Sequence, residues 1–278
     1  MKDKVALVLS GGGSMCVYST GSLFALIEKY NITEPDIVIA ASGTVGVMAY
    51  YVAKQYKEVK DIWFNFVGDR KALNPWRFWK MADVDYLVDY VTREKFPLNT
   101  KKLYSSKTEY LIASTNNKTA EIKYFSNKKK DDIFLSMKAS AAMPVAYEIP
   151  VIIDGERYID THVSASVYTN ILKAIELGAT KIIAFDVEGK DYPIFKPLFA
   201  LLLWLMNKEF KKKYHEGLDK MKNFKKPQGV DLIFLKPKKP LRIGVLTNNR
   251  ELLEEAFNQG FQEAFNNKKL ESFVKSLN

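Results

Sequence analysis

Apolar residues in this chain follow two rhythms that alternate from the start. Val5 to Leu9 is an unbroken apolar run, the pattern of a buried strand, and it leads into Gly11, Gly12 and Gly13. Helical spacing takes over at Val17, Leu23, Phe24, Leu26, Ile27 and Tyr30. A second short run, Ile37 to Ala40, gives way to a helix through Val47, Met48, Tyr51 and Val52. Strand, loop, helix, strand and helix in succession predict an α/β fold, with a parallel sheet and crossover helices.

The alternation then pauses. Residues 62 to 90 are dense in aromatics, among them Trp63, Trp76, Phe78, Trp79, Tyr86 and Tyr90, and Asn74-Pro75 divides them into two helical pieces. That stretch predicts a cap packed over the sheet, with direct lipid contact as the alternative. Tyr110 to Thr115 and Glu121 to Phe125 read as a hairpin about Asn116-Asn117-Lys118. Asp131 suits the cap of a helix that ends before Pro144, and the small residues Ala139 to Ala142 at its end predict close packing. Val151 to Ile153 and Arg157 to Ile159, joined by Asp154-Gly155, form a tight hairpin that delivers Asp160 at a strand end. A helix from Tyr168 to Leu177 and a strand from Lys181 to Val187 resume the alternation. A strand at Val230 to Leu235 and an amphipathic helix from Asn248 to Phe265 complete it. With no repeat or linker, residues 1–278 read as one domain. Its core is 4–187 plus 230–266, and 197–226 form an apolar and basic helical insertion.

Composition narrows the setting. The 278 residues are 47% hydrophobic and 27% charged, an ordinary globular balance able to bury a sizeable core. A single cysteine, Cys16, excludes a disulfide framework and points to a reducing, cytoplasmic compartment. The opening M-K-D-K-V-A-L-V-L-S-G-G-G does not read as a signal peptide. The net charge of +10 gathers in lysine clusters at 128–130, 211–213, 222–226 and 236–239, which favour an anionic partner. No nucleic-acid motif accompanies them, so nucleic acid is set aside. The run P-L-F-A-L-L-L-W-L-M from Pro197 to Met206 is too short to span a bilayer. With its lysine flanks it suits peripheral contact with an anionic membrane, at the inner face, with a buried core helix as the equal alternative.

Candidate chemistry centres on A-A-S-G-T-V-G, residues 40 to 46. A strand, a tight turn carrying a hydroxyl, and a helix make the geometry of a nucleophile elbow, here with a damaged G-x-S-x-G. Centred one way the nucleophile is Ser42; centred the other way it is Thr44. One crossover earlier, Gly11, Gly12 and Gly13 can turn backbone N–H groups toward a single point as an oxyanion hole. The same glycines lack the third glycine of a dinucleotide fingerprint, since Cys16 stands there, and lack the lysine of a phosphate-binding loop. Of the two histidines, His215 lies among lysines and His162 follows Asp160 too closely for a conventional triad. Asp160 remains as a carboxylate able to act as the base. Cys16 has no histidine evidently placed to activate it.

In this order, four segments resemble the patatin-like phospholipase family. They are L-S-G-G-G-S-M-C-V-Y-S-T-G-S-L, A-S-G-T-V-G, K-A-S-A-A-M-P-V-A-Y, and Y-I-D-T-H followed by A-I-E-L-G-A. The resemblance implies a three-layer α/β/α fold with a mostly parallel central sheet. It also implies a hydroxyl–Asp dyad that cleaves lipid acyl esters with no metal and no cofactor. Against the family pattern, Met15 and Cys16 replace an arginine and a glycine, and Thr161 replaces the glycine after the aspartate. Retention of Gly46 favours Thr44 over Ser42 as the nucleophile. A β-branched secondary hydroxyl there implies slow turnover. The alternative is a catalytically impaired member of the fold that binds lipid or a membrane surface.

Overall fold

The computed structural model describes residues 3–77, 79–161, 166–187 and 208–277. Its centre is five parallel strands in the order β3 (Glu109–Asn116), β2 (Ile37–Ala41), β1 (Val5–Leu9), β7 (Lys181–Phe185) and β8 (Asp231–Leu235). Three antiparallel strands extend it beside β3: β4 (Ile122–Ser126), β5 (Val151–Ile153) and β6 (Glu156–Ile159). The expected three-layer arrangement is observed, and strand alternation accounts for it. Leu7, Leu9, Val38 and Ala40 face one core, shared with α1 (Cys16–Glu28), α2 (Val45–Val52) and the helix Arg250–Phe265. Ala6, Val8, Ile37 and Ile39 face the other, shared with the helix Val167–Glu176. Both faces are covered, so these strands read as continuous apolar runs rather than as alternating ones.

The helix Arg250–Phe265 packs on α1 through two glycines. A Cβ on Gly21 would stand 1.9 Å from the Phe257 carbonyl oxygen, and one on Gly260 would stand 2.1 Å from the Tyr18 carbonyl oxygen. The backbones therefore touch directly, and polar bonds lock the contact. The Ser22 hydroxyl donates to the Gly260 carbonyl (3.1 Å) and the Tyr18 hydroxyl donates to Glu263 (2.8 Å). Gly21, which the sequence groups with the oxyanion segment, has this packing role instead.

Several boundaries differ from the sequence pattern. The helix Ile133–Ala141 is capped by Asp132, whose carboxylate accepts the amides of Phe134 and Leu135, while Asp131 turns back to accept the Ser126 amide (2.7 Å). The aromatic stretch does not resume as a helix after Pro75. A helix Lys57–Asp61 runs on as a π-helix, Ile62–Val67, and the next helical piece is the π-helix Tyr86–Lys95. Between them Leu73 bridges Ala82 and the Asn74 amide donates to the Met81 carbonyl (2.7 Å), closing a protruding turn. Trp63 is buried under the cap as expected, but Trp76 and Trp79 lie on that turn in solvent. His162 and the apolar run Pro197–Met206 lie outside the described residues; a helix Lys208–Lys222 follows, with His215 exposed on it. Among the described residues, no helix is long and apolar enough to cross a membrane.

Gly21→Ala or Gly260→Ala is expected to cost about 3 kcal/mol or more, because the added methyl meets backbone, which cannot swing aside. Urea denaturation checks this; Gly46→Ala, where an added Cβ meets nothing within 4 Å, is the control and is expected to leave the midpoint near wild type.

Candidate active site

Strand register sets the site. Ala113 of β3 pairs with Tyr124 of β4 on one side and Ala41 of β2 on the other. Thr115 pairs with Ile122 of β4 on one side and Ile159 of β6 on the other. β2 and β6 therefore lie along the same edge of β3 and approach each other from opposite ends. The next residue of each, Ser42 and Asp160, falls level with Ser114. Two chains cannot occupy one rung, so both must turn away there.

The last turn of the helix Ile133–Ala141 and the residue after it receive the backbone groups that this displaces. The Ser42 amide donates to the Ser140 hydroxyl oxygen (2.9 Å), and that hydroxyl donates to the Ala113 carbonyl (2.6 Å), so a side chain completes the missing rung. The Asp160 amide donates to the Ala142 carbonyl (3.0 Å). The Ser114 hydroxyl donates to the Ile159 carbonyl (3.0 Å). Ser42 takes a positive φ of 52°, a costly conformation for a side-chain-bearing residue and the strained turn of an elbow.

Ser42 and Asp160 both line a cavity of about 160 Å³. Gly13, Ser14 and Gly43 share that wall, and the rest is mostly apolar: Val45 and Val47 from α2, Ile62 and Val88 from the π-helices, and Met137 from the helix Ile133–Ala141. Asp160 is only 1% exposed. The Ser42 hydroxyl is engaged by none of the described hydrogen bonds.

Thr44 sits differently. Its hydroxyl donates to the Ala41 carbonyl (2.8 Å), with the Ser10 carbonyl a longer second acceptor (3.3 Å), and its oxygen accepts the Ala41 amide (3.2 Å). It is 1% exposed and absent from the cavity wall. The hydroxyl pins the turn that holds Ser42. The glycine argument reverses with it. An added Cβ at Gly46 meets nothing within 4 Å, whereas one at Gly43 would be 2.7 Å from the Gly13 carbonyl oxygen. Close approach is required after Ser42 and not two residues after Thr44.

Of the three loop glycines, Gly13 reaches the cavity wall, while Gly11 and Gly12 lie buried and are not part of it. Segment 243–247, which the sequence did not single out, props this loop. The Ser14 amide donates to the Val245 carbonyl (2.9 Å), the Ser14 hydroxyl donates to the Thr247 carbonyl (2.7 Å), and Val245 and Leu246 line the cavity. Met15, at the position of the family's arginine, is buried beneath Gly12. Ser140 carried a legible signal, the small-residue run K-A-S-A-A-M-P, but that pattern suggests packing and says nothing of a hydroxyl bridging two strands. Nothing in the local sequence marks Val245.

An ion cluster ties the cap to the same helix. Lys138 binds Asp85 (2.8 Å) and Asp89 (2.5 Å), Lys80 binds Asp85 (3.0 Å), and the Tyr147 hydroxyl donates to Asp85 (2.8 Å). Partial burial works to raise the Asp85 carboxyl, but the hydrogen bonds from Lys138, Lys80 and Tyr147 outweigh it and hold the group below its usual range. Burial, then the neighbouring Asp85, pushes the Tyr147 phenol well up.

Comparison with known proteins bears on the family and the fold. A family model described as patatin-like phospholipase matches residues 7–172. No curated protein sequence matches. Among solved structures, VipD from Legionella pneumophila shares the fold, with a TM-score of 0.56 at 12% identity, covering 99% of this chain and 67% of that one.

Two outcomes follow from these contacts. Ser140→Ala strands the Ser42 amide and the Ala113 carbonyl in a buried site and is expected to cost about 1–3 kcal/mol by thermal denaturation. Asp85→Asn removes a carboxylate held charged by its partners. A depressed pKa contributes stability above the unfolded value and loses it as pH falls through the folded one. The gap between Asp85→Asn and wild type is therefore expected to be constant from pH 7 down to about 5 and to close only as pH falls below 3.8.

Proposed function

The chain belongs to the patatin-like phospholipase family, and on that footing we propose that it hydrolyses lipid acyl esters with Ser42 as nucleophile and Asp160 as base. One observation carries the choice of nucleophile. Ser42 stands on the cavity wall with Asp160, whereas the Thr44 hydroxyl is closed into its own turn. Ser42 Oγ attacks the acyl carbonyl while Asp160 takes the hydroxyl proton. The amides of Gly13 and of Gly43, the residue after the nucleophile, receive the oxyanion. Asp160 then protonates the departing alkoxide, leaving an acyl-serine. Water attacks that ester, Asp160 accepts its proton, and the fatty acid leaves as the serine hydroxyl re-forms.

A primary hydroxyl removes the steric reason for slow turnover that a threonine nucleophile implied. It also removes one motive for reading the protein as a lipid binder with a decayed site. The mostly apolar cavity suits an acyl chain, and no step calls for a metal or cofactor.

The test is release of 4-nitrophenol from its butyrate ester and of fatty acid from phospholipid. Ser42→Ala is expected to lower kcat/KM at least about 10³-fold, and Asp160→Asn about 10²–10⁴-fold. Thr44→Ala is expected to lose stability but keep activity per folded molecule. Loss of activity in Thr44→Ala with Ser42→Ala unaffected would return the role to Thr44. Binding of lipid without turnover by any variant would favour the decayed-site reading.

A further inference from the structure

Among the described residues, the most exposed large apolar side chains are tryptophans. Trp76 is 83% exposed and Trp79 is 66% exposed. The described residues on either side of position 78 are tied down. The turn is closed by the Leu73–Ala82 bridge and by the bond from the Asn74 amide to the Met81 carbonyl, and the Asn74 side chain accepts the Trp76 amide (3.0 Å). Arg77 braces it from inside, donating to the Lys71 carbonyl (2.8 Å) and pairing with Asp83 (3.4 Å). The turn also rests on the segment after Met143: the Ala82 amide donates to the Ala146 carbonyl (3.0 Å) and the Glu148 amide to the Trp79 carbonyl (3.4 Å). Ile149, beside that contact, is a further exposed apolar side chain, at 43%.

The base of this turn is the wall of the cavity. Leu73, Ala82 and Met143 all line it. Indole rings favour the boundary between head groups and acyl chains, where the ring is buried and the N–H stays wet. The cations on the same rim, Arg70 and Lys71, are exposed, and they complement anionic head groups in a chain whose net charge is +10.

We propose that Trp76 and Trp79 form a wedge that seats in an anionic lipid surface and sets the mouth of the cavity against it. This rests on the lipid reading of the cavity, but its readout is independent of catalysis. The wedge restrains where an acyl chain enters: directly from the bilayer, past Leu73 and Ala82, without crossing water.

The experiment is co-sedimentation with vesicles of mixed phosphatidylcholine and phosphatidylglycerol, alongside quenching of tryptophan fluorescence by brominated lipids. Wild type and Ser42→Ala are expected to partition alike and to be quenched. Trp76→Ala/Trp79→Ala is expected to partition at least about tenfold more weakly, from the apolar area withdrawn from the interface, while Trp76→Phe/Trp79→Phe recovers most of the binding. Both tryptophans are exposed, so circular dichroism is expected to be unchanged. Equal partitioning of the alanine variant and wild type overturns the proposal, as does failure of wild type to bind. Concentration-dependent dimerisation that the alanine variant abolishes, without vesicle binding, would assign the surface to a second copy and also overturn it. Vesicle binding through the tryptophans in a protein that hydrolyses no ester would leave the wedge standing and defeat the hydrolase reading alone.

Discussion

Everything at the cavity wall follows from one steric conflict: β2 and β6 run toward each other along a single edge of β3 and would collide at Ser114. A parallel strand arriving from below and an antiparallel strand arriving from above cannot share a rung. Each must leave the sheet there, and each exposes the residue at which it turns. The conflict puts a hydroxyl and a carboxylate from residues more than a hundred positions apart at one height. The amides freed by the two turns would be costly if left without partners. The end of the helix Ile133–Ala141 supplies an acceptor for both, through Ser140 and Ala142.

The strain at Ser42 is stored in that arrangement and held from several directions. Its amide is bound by Ser140. The turn beneath it is pinned by Thr44 to the Ala41 backbone, and Gly43 presses against the glycine loop at a distance that admits no side chain. The loop in turn leans on Val245, which the helix Arg250–Phe265 follows closely in sequence, and that helix meets α1 backbone to backbone. A chain of close contacts thus connects the C-terminal packing to the geometry of the elbow. Substitutions at Gly21 or Gly260, remote from the cavity, act on the same support.

The cap has two kinds of surface for a related reason. Where the π-helices cover the sheet, their aromatic and aliphatic side chains are buried and form the cavity. Where the chain must cross between them, a short closed turn has no sheet beneath it, and its tryptophans stay in solvent. The ion cluster around Asp85 fixes this cap to the helix that also holds Ser42 and Asp160. Cap, rim and elbow are joined at one helix.

The sequence by itself determined the α/β alternation, the glycine loop, the elbow and the aspartate at a strand end, because each is a local pattern of spacing and turn residues. Helix ends shifted by a residue where two adjacent aspartates competed for one cap, as at Asp131 and Asp132. Which hydroxyl stands on the cavity wall with Asp160 was decided only in three dimensions. Counting along the chain from Gly46 favours Thr44, but the face a residue presents depends on its rung. That rung is set by pairing with β3, some seventy residues away, and by β6 arriving from the other end. The close approach falls at Gly43, against Gly13, and not at Gly46, and a contact between two loops leaves no periodicity to read. The exposed tryptophans were hidden for the same reason. Aromatic density is the same whether a ring is covered or not, and only the folded chain decides what lies over it.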